Sequence, residues 1–187
     1  IQAAWLVCLF HDVGKLSTGW QAWARAYQKQ IGNPVGADFA AAHTDSEPGN
    51  TKHKAALKTV SRRYPRPNHA AESALAVGPV LVEALAGNEK LVRAALAAIA
   101  RHHTPFVDES QKYELETHAG WHLAKAARYV PEDLQRGLNL TRVKMKGRGE
   151  QVSVAAPDDL WAWLAYLLLA RALRRADQEG TARGARG

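Results

Sequence analysis

In four separate stretches of this chain, apolar residues recur at helical spacing and a histidine or aspartate joins the stripe. Trp5, Cys8 and Asp12 stand at i, i+3 and i+7. Val92, Leu96 and Ile99 lead to His103, and Leu91, Ala95 and Ala98 lead to His102. Trp163, Tyr166, Ala170 and Leu173 lead to Asp177. His69 opens a helix whose face continues through Ser73, Ala76 and Val80. A lone carboxylate on such a face costs on the order of several kcal/mol unless it is neutralised, paired or coordinated. A fold for this chain therefore has to give these groups partners.

Each case has an ordinary reading as well. The His11-Asp12 pair suits a helix end, and histidines at a helix C-terminus are favoured by the dipole. Asp177 has Arg174, Arg175 and Arg183 within reach, and His69 suits a half-exposed turn. Taken together, they place four histidines and two aspartates on four separate helices. Neutral imidazole is the form that binds metal, and the positive end of its helix favours it at His69. Imidazole with carboxylate suits manganese, iron, cobalt or nickel. A cysteine-rich zinc site is excluded, because Cys8 is the one cysteine. Cys8 reads as core, in a reducing compartment.

Alanine and leucine dominate and β-branched residues are sparse, so the expected class is all-α. A small β-hairpin is expected near 138–154, with Leu138–Lys144 and Gln151–Val154 flanking the turn at 146–149. Helices are expected over 1–30 (with Gly14 and Gly19 as breaks), 69–85 behind an Asn68 cap, 89–103, 113–128 and from Pro157-Asp158-Asp159 to about Asp177. Residues 31–51 read as a long loop. The division is one domain over 1–179 and a disordered basic tail over 180–187. Ile1 already lies in a helical pattern, so the chain reads as a domain of a longer or processed protein.

The formal net charge of +7 suits a phosphate-rich partner and, equally, a solvated basic surface. No stretch reads as a signal peptide or membrane span, and the expected location is cytoplasmic. Gly14-Lys15 lacks the upstream glycine and following Ser or Thr of a phosphate-binding loop. Trp20, Trp23 and Tyr27 could stack bases, but aromatics at this spacing usually pack inward. His118 and His122 read as surface residues, and His43 and His53 as loop residues.

Four segments carry a resemblance: LFHDVGKLSTGWQ (9–21), NHAAESAL (68–75), AIARHHT (98–104) and LRRADQEGTA (173–182). Their order resembles the HD superfamily of metal-dependent phosphohydrolases, and more closely the HD nuclease domain of the CRISPR-associated type I helicase–nuclease. The resemblance implies a helical HD bundle with two divalent transition metals: manganese, nickel, cobalt or iron, with magnesium admitted. It implies that Asp12 bridges both metals, that His11 and Asp177 bind the first, and that His69, His102 and His103 bind the second. Lys15 matches a lysine near the scissile phosphate, so the implied catalytic residues are Asp12, Lys15 and His11. The implied substrate is single-stranded DNA. The implied partners are a helicase domain or subunit and a CRISPR ribonucleoprotein effector complex, with no membrane.

This chain departs from the family pattern in one respect: a further metal-binding histidine is expected some tens of residues before the HD pair, and the chain begins ten residues before it. Two other readings follow from the same residues. One is a nucleotide phosphohydrolase of the same superfamily, with the 31–51 loop as a lid. The other is a degenerate HD module that docks on nucleic acid without cutting it.

Overall fold

The computed structural model describes residues 1–36, 47, 49–103, 112–135, 137–147 and 159–184, with backbone alone for 180–184. The described elements are helices α1 (Gln2–Phe10), α2 (Thr18–Gln30), α3 (Thr51–Arg63), α4 (His69–Ala84), α5 (Glu89–Ala100), α6 (Ala119–Ala127), α7 (Glu132–Gln135) and α8 (Leu160–Gly184). Two 3-10 turns, Val13–Leu16 and Leu140–Arg142, and two short strands, β1 (Tyr113–Glu114) and β2 (Lys146–Gly147), complete them. The protein is an all-α bundle with one small antiparallel sheet.

Helix α5 lies at the centre, packed on both α4 and α8, with α1 against α5 and α8. Its buried residues are mostly alanines, Ala94, Ala95, Ala97, Ala98 and Ala100, with Val92 and Ile99. Small side chains let neighbours approach a central helix from several sides, and larger residues on those neighbours fill the space. Leu6, Val7 and Phe10 of α1, Val77, Val80 and Leu81 of α4, and Leu169 and Leu173 of α8 supply that volume. A second, smaller cluster joins α2 to α3 through Trp20, Trp23, Tyr27, Ala56 and Val60.

The starts of these helices are set by side chains that accept orphan N–H groups. Asn50, Asn68 and Asn88 cap α3, α4 and α5, and Ser17 caps α2. Each such cap contributes about 1 kcal/mol. Asp159 accepts from Ala162 N–H at 2.9 Å and pairs with Lys90 at 3.0 Å, which ties the start of α8 to α5.

Several boundaries differ from expectation. The first helix ends at Phe10, and a 3-10 turn at Gly14 separates it from α2, while Gly19 lies inside α2. The core face of α1 is Ala3, Leu6, Val7 and Phe10, whereas Trp5 is exposed. An unanticipated helix, α3, follows the 31–51 stretch and carries His53. Helix α5 stops at Ala100, so His102 and His103 lie beyond its end. Tyr113–Glu114 is a strand, and α6 begins only at Ala119. The expected sheet has β2 at its predicted turn, but the partner is β1, with Tyr113 opposite Gly147 and Glu114 opposite Lys146. The Tyr113 ring packs where a Cβ on Gly147 would sit, so this pairing needs glycine. Helix α8 continues through 180–184, where a disordered tail was expected. His43, Gln151–Val154, Pro157-Asp158 and residues 185–187 lie outside the described residues.

Candidate metal centre

The end of α1, the start of α4, the end of α5 and the C-terminal half of α8 meet at one place. The 3-10 turn after His11-Asp12 runs directly against the first turn of α4. A Cβ on Gly14 would lie 2.1 Å from the His69 carbonyl oxygen, so no other residue fits without backbone movement. Gly14 N–H donates to Ser73 Oγ at 2.7 Å, and Ser73 O–H donates to the His69 carbonyl at 2.7 Å. One serine thus fixes the corner that carries Asp12 against the residue that carries the His69 ring. Ser17 O–H donates to buried Glu72 at 2.9 Å and makes a second tie between the same segments.

This framework brings all six expected ligands together. Asp12, His69, His102 and His103 each offer an atom within 4.8 Å of the others, and so do His11, Asp12 and Asp177. Asp12 belongs to both groups. Its Oδ1 lies 3.4 Å from His69 Nε2 and 3.6 Å from His102 Nε2, and its Oδ2 lies 3.3 Å from His11 Nε2. His11 Nε2 is 3.8 Å from Asp177 Oδ1, and His103 Nε2 is 3.0 Å from His69 Nε2.

The donor chemistry fits a cation. His11 Nδ1 lies 2.9 Å from the Cys8 carbonyl, and His102 Nδ1 lies 2.6 Å from the Ile99 carbonyl. A carbonyl only accepts, so both Nδ1 atoms carry a proton, and each ring in its neutral form turns a lone pair at Nε2 toward Asp12. His11 Nε2, His102 Nε2 and Asp12 Oδ1 are buried and have no hydrogen-bond partner among the described residues. Lone pairs that converge with nothing between them repel unless a proton or a metal intervenes. Carbonyl bonds to the far ring nitrogen are also the usual way in which metal-binding histidines are oriented.

Protonation follows the same competition. Burial alone would raise the Asp12 carboxyl, but His102, His11 and His69 outweigh it and hold the group far below the ordinary carboxylate range. Burial disfavours imidazolium at His11, yet neighbouring Asp12 raises its pKa. His69 is lowered, chiefly by burial against the opposing pull of Asp12. Burial, His102 and His69 lower His103 to about 4.

Lys15 Nζ lies 2.7 Å from Asp12 Oδ2 and 5.7 Å from the centre of the Trp20 ring. Trp20 packs edge-on to His69 at 4.6 Å. Trp20, Trp23 and Tyr27 are buried, so they are core and not a base-stacking surface. His53, on α3, accepts from Glu47 N–H, His118 precedes α6 and His122 lies on it, all outside both ligand groups. Cys8 is half-buried against the main core, where burial raises its pKa and makes it a poor nucleophile. Gly14, Ser73 and Glu72 were not anticipated from sequence as supports. Their signal is positional, since Ser73 follows His69 by one helical turn and Gly14 follows Asp12 by two residues.

The bundle and its His-Asp corner define an HD-type domain. Residues 1–170 match the family described as Cas3, HD domain, and the chain belongs to that family. No curated protein and no solved structure matches it. Asp177 falls beyond the matched residues, so its place beside His11 rests on geometry.

Proposed function

We propose that this domain is a metal-dependent nuclease that hydrolyses phosphodiester bonds of single-stranded DNA in CRISPR interference. It works in the cytoplasm with a helicase domain or subunit and a CRISPR ribonucleoprotein effector complex. The observation that carries this reading is the convergence of three buried ligand atoms without hydrogen-bond partners on a centre where Asp12 belongs to two ligand groups. Membership of the Cas3 HD family supports the nuclease assignment.

In this reading Asp12, His11 and Asp177 would hold one metal, and Asp12, His69, His102 and His103 would hold the other. Bound divalent metals, from manganese, nickel, cobalt, iron or magnesium, would supply a water of lowered pKa and offset phosphate charge. Backbone carbonyls hold the His11 and His102 rings in place, so little reorganisation is needed there. Lys15, one turn from His11, presents its ammonium group where a phosphate oxygen or leaving group would gain negative charge. The exposed apolar side chains Leu160, Trp161, Leu164 and Leu168 on α8 support a protein partner. None of the described helices is long and apolar enough to cross a membrane.

The test is incubation of metal-stripped protein with circular single-stranded DNA and each metal in turn, beside Asp12→Ala. Cutting of circles by wild type alone would support an endonuclease. Turnover of nucleotides without cutting would favour the nucleotide phosphohydrolase. Neither activity, with no metal bound, would favour a docking module.

A further inference from the structure

One indole carries two cations. The Arg66 guanidinium lies 5.2 Å from the centre of the Trp20 ring and 5.0 Å from that of Trp23, while Lys15 Nζ approaches Trp20 at 5.7 Å. The same indole packs against His69. Arg66 has no hydrogen-bond or ion-pair partner among the described residues, and its side chain is exposed. Burial of its stem lowers its pKa, but a guanidinium stays charged at any pH at which the protein is folded.

Upstream, the chain leads from Arg66 to a groove of about 500 Å³ between α2 and α3, lined by Lys29, Arg63, Thr59 and Tyr64. Arg63 sits over the Tyr64 ring at 5.5 Å. Lys29 and Arg63 also have no acidic partner among the described residues. Unpaired cations held at fixed positions repel one another, and phosphates spaced along a strand would relieve that repulsion. Lys15, which pairs with Asp12, and Arg66 lie over the same indole, and the chain runs back from Arg66 to Tyr64 and Arg63 in the groove lining. A planar guanidinium whose stem is fixed on aromatic rings presents its donors to a phosphate with little loss of rotamer freedom.

The geometry points to Arg66 as the contact for a phosphate next to the one cut, with Lys29 and Arg63 carrying the strand onward along the α2–α3 groove. This rests on the polymer-nuclease reading and adds a reason why a polymer would be preferred to a mononucleotide.

The test uses the full chain with Arg66→Gln, Arg66→Lys and the double variant Lys29→Gln/Arg63→Gln. Binding of a single-stranded oligonucleotide is measured against salt, in parallel with manganese-supported turnover of the oligonucleotide and of bis(p-nitrophenyl) phosphate. Arg66→Gln should flatten the log–log salt slope by about 0.7, the value of one phosphate contact on a single strand. Its KM for DNA should rise roughly tenfold, with turnover of the small diester unchanged. Arg66→Lys should restore the salt slope, and the double variant should flatten it by about twice as much. An unchanged slope in Arg66→Gln, or an equal loss on DNA and small diester, would overturn the assignment. Wild type that binds DNA with the expected slope but cuts none would sink the nuclease reading while leaving Arg66 as a phosphate contact.

Discussion

The two halves of the candidate centre share Asp12 and are otherwise unlike. One half has three imidazoles, His69, His102 and His103, with His69 and His102 almost wholly buried. The other has one imidazole, His11, and a second carboxylate, Asp177, whose side chain is 45% exposed. By donor chemistry a nitrogen-rich half would favour nickel, cobalt or iron, and an oxygen-rich half manganese or magnesium. The buried half is built by three segments locked around the core. The open half depends on a single residue from α8 and has three donors among the described residues. The contrast predicts a division of affinity and access: the half built on buried His69 and His102, with exposed His103 at its edge, would retain metal, and the half that ends on Asp177 would stay open to water and substrate.

The largest effect is expected where the halves meet. Asp12→Ala should abolish binding at both, with cleavage reduced at least about 10³-fold and metal content near zero by elemental analysis. Retention of one tightly held metal in that variant would mean that the halves do not share a ligand. Gly14→Ala comes next, because it drives a methyl group into the His69 carbonyl. The corner must move away from α4, at a cost of roughly 2–4 kcal/mol in thermal or denaturant unfolding, and metal affinity should fall with it.

Single-ligand variants separate the halves. His69→Ala should empty the buried position, whereas Asp177→Ala should leave one metal in place and weaken the second at least about 100-fold. Titration of each variant by calorimetry, with proton release followed in buffers of different ionisation enthalpy, reads both. The two halves should also differ in pH response. His11 has a raised pKa, so it binds a proton at higher pH than an ordinary histidine, and a metal must displace that proton. His103, lowered to about 4, and His69, also lowered, are neutral through the physiological range. As pH falls, the His11–Asp177 half should release metal first and the imidazole-rich half later. Loss of both in one step would break the comparison.

The residues of this candidate centre are legible in the chain as polar members of apolar helix faces, each with an ordinary reading beside it, and their grouping as one ligand set comes from the segments that resemble the HD family. Asp177 stands one turn after buried Leu173 on α8, and the Asn68 cap places His69 in the first turn of α4. What periodicity misjudged was where helices stop. His102 and His103 read as the end of an amphipathic helix, but α5 closes at Ala100, and beyond it the chain brings both rings beside His69. The α3 helix is hard to see in the sequence because its lysines and arginines leave a thin apolar stripe, Ala56 and Val60, which has meaning only against the aromatics of α2. The β1–β2 pairing joins segments some thirty residues apart, beyond the range of local turn signals. Contacts such as Gly14 against His69 are tertiary, and no spacing rule exposes them.

The smallest effect sharpens the comparison by separating a buried carboxyl that serves as a ligand from one that does not. Asp12 is held ionised by its histidines, whereas Glu72, three residues after His69, is pushed up to about 7 because burial outweighs the Ser17 hydrogen bond. The unfolded chain ionises Glu72 near its ordinary value of 4.5, and the folded chain does so near 7. Between those values the unfolded state sheds the proton first, so stability falls as pH rises and the full cost is present above about 7. Glu72→Gln removes that cost and keeps an oxygen to accept from Ser17. The variant should match wild type below pH 4.5 and exceed it by roughly 1–3 kcal/mol at pH 8 in denaturant unfolding, with metal content unchanged. Equal stability at both pH values would mean that water or a cation reaches Glu72. Loss of metal in Glu72→Gln would make this carboxyl part of the imidazole-rich half and not its support.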